Sequence, residues 1–203
     1  MINPNKPVAR GSLLLLTSLL GLVEPARADD VLEQIKTRLT ATEFVQGQFH
    51  QEKRLKFLSK PLISEGEFTF SQGRGVIWNT TKPVVSQLLV SDSRLLTSQG
   101  QQAIPPSFGR VFPALLGGDL ATLRADFAIN GSLQADHWQL QLLPNDPLLA
   151  KVIAGITLNG DTELRAVEIR ETSGNLSRIT FDAIRHPQQL SPEQAGDFAR
   201  LSP

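Results

Sequence analysis

The stretch "LISEGEFTFSQGRGVIWNTTKPVVSQLLVSDS", Leu62 to Ser93, decides the fold class. It opens with alternation: Leu62, Ser64, Gly66, Phe68 and Phe70 fall on one side, and Ile63, Glu65, Glu67 and Thr69 on the other. Period two with one apolar face is the pattern of a half-buried strand. "SQGRG" is then a turn, "VIW" a second strand, "NTTKP" a polar corner where Pro83 closes off pairing, and "VVSQLLV" a third strand. That third strand is apolar on both faces, so something must cover it on both sides. The stretch holds no nucleophile motif, metal-ligand set or phosphate loop. It has to be explained by the surface it builds.

Working outward, Val45, Gly47 and Phe49 alternate with Gln46, Gln48 and His50, and "KFLSKPL" breaks the pattern before Leu62. Upstream, "DDVLEQIKTRL" carries Val31, Leu32, Ile35 and Leu39 at helical spacing behind two acids suited to a helix N-terminus, which predicts a helix over roughly 30–41. Downstream, "SDS" is a turn before "RLLTS". The middle then changes character. Phe108, Val111, Phe112, Leu115 and Leu116 form one apolar helical stripe, with Pro113 expected to kink or break it and Gly117-Gly118 to end it. "DLATLRADF" fits another turn or two of helix, and a short apolar helix of this kind suits either a movable cover or ordinary core packing.

Strands resume with "DFAING", "HWQLQLLP", "AGITLNGDTELRAVEIRET" and "GNLSRITFDAIRH", with turn signals at Asn130-Gly131, Asn159-Gly160 and Gly174-Asn175. Ser191-Pro192-Glu193 reads as the cap of a brief closing helix. The expectation is a single α+β, mainly β domain of about nine to eleven antiparallel strands with a few short helices. A meander of that length curls into an open or closed barrel.

Residues 1–28 read as a cleaved signal peptide: Lys6 and Arg10, the run "GSLLLLTSLLGLV", and the small-x-small site "ARA" ending at Ala28. Residues 29–203 then form the mature domain, with a net charge of about −2 once Lys6, Arg10, Glu24 and Arg27 are gone. No later stretch is apolar and long enough for a membrane helix, and the leader suits export to a bacterial periplasm. The chain has no cysteine, so a disulfide framework, a thiolate metal site, a cysteine nucleophile and lipidation of the chain itself are all excluded. Near-neutral charge without a basic cluster argues against nucleic acid. His50, His137 and His186 are scattered at no metal-ligand spacing, and G-x-S-x-G is absent, so neither a metal nor hydrolase chemistry is expected. Glu65 and Glu67 read as solvated rather than as a catalytic pair. The basic run "HQEKRLK", His50 to Lys56, reads as a solvated strand end, the sharper alternative being a docking edge for anionic headgroups or an acidic partner.

The order of the pieces resembles a family. A first helix, "FVQGQFHQ", a glycine strand "GEFTF", a tryptophan strand, "TKP" and "QLLVSD" follow one another as in the periplasmic lipoprotein carrier LolA and its relatives. The match is best over Leu32–Leu96 and continues more weakly through "INGSLQADHWQLQLLP" and the last hairpins. "EKRLKFLSKPLISEGEFTF" looks closer to a divergent branch that accompanies lipid or pigment exporters. The resemblance implies an incomplete antiparallel barrel, apolar inside and lidded by helices, which holds lipoprotein acyl chains or another lipid between an inner-membrane transporter and an outer-membrane acceptor. It further implies a monomer with no cofactor and no enzymatic activity.

On that reading Phe44, Phe49, Phe68, Phe70, Trp78 and Leu88 line the wall of a cavity, although a sheet interior that packs solid would use the same residues. Phe108, Val111, Phe112, Leu115 and Leu116 form its lid. Standard members carry a lid-latching arginine in the strand before the tryptophan. Here Gln72 occupies that position, and Arg74, two residues on and so on the same strand face, is the candidate latch. The alternative reading is a sensor module that binds lipoprotein or lipid without moving it. Related sensors join the half-barrel to another domain, and the short tail "PEQAGDFARLSP" favours the carrier.

Overall fold

A computed structural model describes residues 28–38, 43–92, 94–97, 100–103 and 106–201. The expected leader therefore lies outside the described residues, except for Ala28. The chain opens with α1 (Ala28–Arg38) and continues as a meander of β1 (Phe44–Arg54), β2 (Leu62–Ser71), β3 (Gly75–Lys82), β4 (Ser86–Val90), β5 (Arg94–Thr97) and β6 (Gly100–Ala103). Helices α2 (Pro106–Gly117) and α3 (Leu120–Asp126) lead into a second meander of β7 (Phe127–Gln134), β8 (His137–Pro144), α4 (Leu149–Val152), β9 (Ile153–Gly160), β10 (Leu164–Glu171) and β11 (Leu176–Arg185). Helix α5 (Pro192–Ala199) closes the chain.

The eleven strands among the described residues form one antiparallel sheet in the order β6-β5-β4-β3-β2-β1-β11-β10-β9-β8-β7. The two meanders join where β1 pairs with β11, from Gln46 opposite Arg185 to Arg54 opposite Leu176. Strands β6 and β7 are the two edges, and they do not pair with each other. The barrel expected from the alternation is thus an open one, and α2 and α3 carry the chain from one edge to the other. The turns β1–β2, β3–β4 and β10–β11 and the β8–β9 connection share the upper end of the sheet. The turns β2–β3, β4–β5, β7–β8 and β9–β10 share the lower end.

The inner face buries one continuous core. Phe49, Phe68, Phe70 and Trp78 from one half meet Trp138, Leu140, Leu158, Ile179 and Phe181 from the other, with Val111, Ala114, Leu115, Leu120 and Leu123 of α2 and α3 laid across them. The outer face has a smaller core of Ile77, Leu89, Phe198 and Leu201 under α5. This is the double cover that the two-faced strand required: Leu88 packs toward the inner core and Leu89 toward α5. Burying Phe198 there contributes roughly 2 kcal/mol. Ser191 caps α5 by accepting from the Gln194 N–H, while Gln194 Oε1 accepts from the Ser191 N–H. Gln194 also donates to Thr69 on β2, which pins the helix to the sheet.

Several expectations need correction. Val84 and Val85 precede β4 and are exposed, so the third strand is shorter than its apolar run. Asn130-Gly131 is no turn but the middle of β7, which reverses instead at Ala135, φ 51. A Cβ on Gly131 would lie 2.9 Å from Leu32 Cδ2, so the glycine is there to let α1 pack on the strand. Helix α2 runs through Pro113 instead of breaking. Helix α1 ends within the described residues at Arg38.

Candidate functional site

A cavity of about 540 Å³ opens at the lower end of the sheet. Its apolar wall is Val45 at the start of β1, Phe68 of β2, Leu164 of β10, and Phe181 and Ile184 of β11. Leu116, Gly117 and Gly118 at the end of α2 roof it. The mouth is polar: Thr37 and Arg38 at the end of α1, Thr162 and Glu163 in the β9–β10 turn, and His186 just beyond β11. Its volume lies within the ~300–1,000 Å³ of ordinary ligand pockets. Apolar walls with a few polar groups at the entrance suit a molecule with a hydrocarbon part and a polar end.

Local geometry explains the wall. The register of β1 against β11 shifts between Gln46 and Gln48, and Ala183 opposite that bulge has φ 49. The irregularity brings both Phe181 and Ile184 to the cavity, although a strict alternation would separate them. At the mouth, His186 Nε2 lies 2.7 Å from Glu163 Oε1, and Arg38 donates to the Ala135 carbonyl at 3.1 Å.

The roof is held in three ways. A Cβ on Gly117 would lie 2.4 Å from Phe70 Cζ, so the end of α2 rests directly on the β2 ring. Arg110 of α2 donates through Nη2 to both carboxylate oxygens of Asp126, at 3.1 and 3.0 Å, and so ties α2 to the last residue of α3. Asp119 caps α3. Burial alone would raise its carboxyl, but hydrogen bonds from the Thr122 hydroxyl and from the Thr122 and Ala121 N–H groups hold it below the usual carboxylate range.

Of the residues expected to line a cavity, Phe68 and Leu116 do so here. Phe49 and Trp78 instead stack with centroids 3.8 Å apart, and Phe112 of the lid meets the Trp78 ring edge-on at 5.3 Å. Phe70, Val111 and Leu115 are buried in the inner core, and Leu88 packs against it. Phe44 is also buried, outside that core. The backbone of Phe108 belongs to α2, but its side chain lies outside the described residues. The centre of the half-barrel is therefore filled by lid and wall together, and the open space is displaced to one end.

Gln72 and Arg74 are exposed in the β2–β3 turn, and among the described residues Arg74 makes no side-chain hydrogen bond or ion pair. Strand β2 ends at Ser71 and β3 begins at Gly75, so neither residue lies in a strand. Arg110–Asp126 is one of the contacts that hold the lid, and no local sequence pattern announces it. Among the described residues, no cluster of three His, Asp or Glu could hold a metal ion, and no helix is long and apolar enough to cross a membrane.

The family described as outer membrane lipoprotein carrier protein LolA-like matches residues 23–188. No curated protein matches the sequence significantly. Solved structures resemble the chain at low identity. A LolA superfamily protein from Nitrosomonas europaea is 12% identical, with 82% of this chain and 96% of that chain covered and a TM-score of 0.46. A putative outer membrane lipoprotein-sorting protein domain from Vibrio parahaemolyticus is 12% identical, with coverage of 86% and 98% and a TM-score of 0.43. In the MucA/MucB complex from Pseudomonas aeruginosa the matched chain is 14% identical, with coverage of 82% and 59% and a TM-score of 0.44.

Proposed function

Because the chain belongs to the LolA-like family of outer membrane lipoprotein carrier proteins, we propose that it is a periplasmic carrier which takes an acyl chain of a lipoprotein or related lipid into the lower-end cavity. It receives that cargo from an inner-membrane transporter and delivers it to an outer-membrane acceptor, acting as a monomer and without turnover chemistry. The observation that carries the reading is the unfilled apolar cavity roofed by the end of α2.

The physical need is plain. Each methylene moved from lipid into water costs about 0.8 kcal/mol, so a fifteen-carbon chain costs roughly 12 kcal/mol. A carrier has to replace much of that contact, yet not all of it, or the cargo would never leave. A cavity with apolar walls and a polar mouth, roofed by the end of α2 where Gly117 lies against the Phe70 ring, meets both conditions.

The test is native mass spectrometry of the protein purified from its own cells. The carrier reading expects a bound acylated peptide or lipid, and it expects Ile184→Trp to abolish rebinding of an acyl probe while the urea midpoint stays near that of the parent protein. A stable, folded protein that never takes up acyl probes would sink the proposal. Stable co-purification with a membrane-anchored regulator, in place of transfer, would favour the sensor reading.

A further inference from the structure

Single exposed apolar side chains are ordinary on a protein surface. Their distribution here is not. Among the described residues every large exposed hydrophobic lies at the upper end of the sheet, opposite the cavity mouth. Phe57 (79% exposed) and Leu58 occupy the β1–β2 turn, and Leu62 and Ile63 start β2. Val84 and Val85 (71% and 83% exposed) form the β3–β4 turn, which the pairing of Glu65 with Lys82 sets beside the start of β2. Leu143, Leu148 and Val152 come from the β8–β9 connection and α4. Among the described residues the lower end has none.

The charges at this end are unbalanced. Lys53 is paired with Glu171 at 3.0 Å, Arg54 with Glu52 at 2.6 Å, and Lys82 with Glu65 at 3.1 Å. Asp146 is engaged in capping α4, accepting from the N–H groups of Leu148 and Leu149. Lys56, Lys60 and Lys151 have no carboxylate partner among the described residues, and all are exposed. Two of the three flank Phe57 and Leu58 in sequence, and the third is next to Val152.

We propose that this upper end docks on an anionic lipid bilayer surface, with Phe57, Leu58, Val84 and Val85 entering the headgroup–acyl boundary and Lys56, Lys60 and Lys151 meeting anionic headgroups. Apolar tips on separate connections, interleaved with lysine, do not make one continuous dry patch for a rigid partner. They suit a soft interface that closes around each tip, with the lysine stems lying along the boundary. A second copy of this chain is a poor occupant, since the unpaired lysines would face their own counterparts. The surface is separate from the cavity, so it stands or falls independently of the carrier reading.

The experiment is co-sedimentation of the full chain with protein-free vesicles of phosphatidylethanolamine and phosphatidylglycerol, set against phosphatidylcholine alone. Binding is expected to the anionic vesicles, weakening by about fivefold for each lysine neutralised in Lys56→Gln and Lys60→Gln. Phe57→Ser with Leu58→Ser should reduce it at least tenfold, with a urea midpoint close to that of the parent because Phe57 is 79% and Leu58 43% exposed. Overturning results are no sedimentation with anionic vesicles, equal sedimentation with phosphatidylcholine, or binding indifferent to Phe57→Ser and Leu58→Ser. Binding only to native membrane vesicles, abolished by protease treatment of those vesicles, would also overturn it and point to a protein partner.

Discussion

Arg110→Met is the sharpest probe of how the lid is held. It removes the guanidinium that lies 3.1 and 3.0 Å from the two oxygens of Asp126, a residue only 6% exposed. Breaking a fully buried pair from one side costs about 3–5 kcal/mol, whereas an exposed pair contributes roughly 0–1 kcal/mol. Because the Arg110 side chain is 37% exposed, this pair falls between those limits, and a loss of about 2 kcal/mol follows. With a urea slope of about 2 kcal/mol per molar, the unfolding midpoint should drop by roughly 1 M. Asp126→Asn in the same background should recover about half of that loss, because the stranded carboxylate is gone. Hydrogen exchange should accelerate in α2 more than in the paired strands β1 and β2. The reasoning is refuted if Arg110→Met unfolds within about 0.3 M of the parent, or if the double-mutant cycle shows no coupling.

Three further outcomes follow from other contacts. Gly117→Val forces a side chain into the Phe70 ring, so it should destabilise by about 1–3 kcal/mol and raise the rate of acyl-probe uptake as the end of α2 lifts; stopped-flow fluorescence reads this, and slower uptake would contradict it. Phe198→Ala should cost about 3 kcal/mol in urea unfolding through the outer core yet leave acyl-probe affinity unchanged. Glu171 is held below the usual carboxylate range by hydrogen bonds from Asn175 and then from Lys53, against a smaller upward push from burial. Its contribution is therefore present above the usual range and lost as pH falls from about pH 4.5 through the depressed value. The urea midpoint of Glu171→Gln should lie below that of the parent at pH 7 and converge with it in acid.

Much of the sheet was legible because alternation is a local signal. The β2 and β3 faces could be read from Gly66, Phe68, Phe70 and Trp78, and the closing helix from Ser191 and Pro192, since each pattern repeats or caps within a few residues. Strand β6, "GQQA", has no apolar alternation and was invisible. The Asn130-Gly131 pair misled because a glycine that admits a neighbouring helix looks like one that makes a turn. The cavity was harder still. Inward-facing aromatic residues fill space or border it depending on where α2 comes to rest, and that depends on Gly117 meeting Phe70. Arg110 and Asp126 are on different helices, and nothing in either segment foretells their meeting.

Photo-crosslinking with a fatty-acyl chain carrying a diazirine, followed by peptide mapping, bears most directly on whether the lower-end cavity holds hydrocarbon. The account predicts adducts on Val45, Phe68, Leu116, Phe181 and Ile184, suppressed in Ile184→Trp. Labelling confined to Phe57, Val84 and their neighbours, or none on a protein that remains folded, would contradict it.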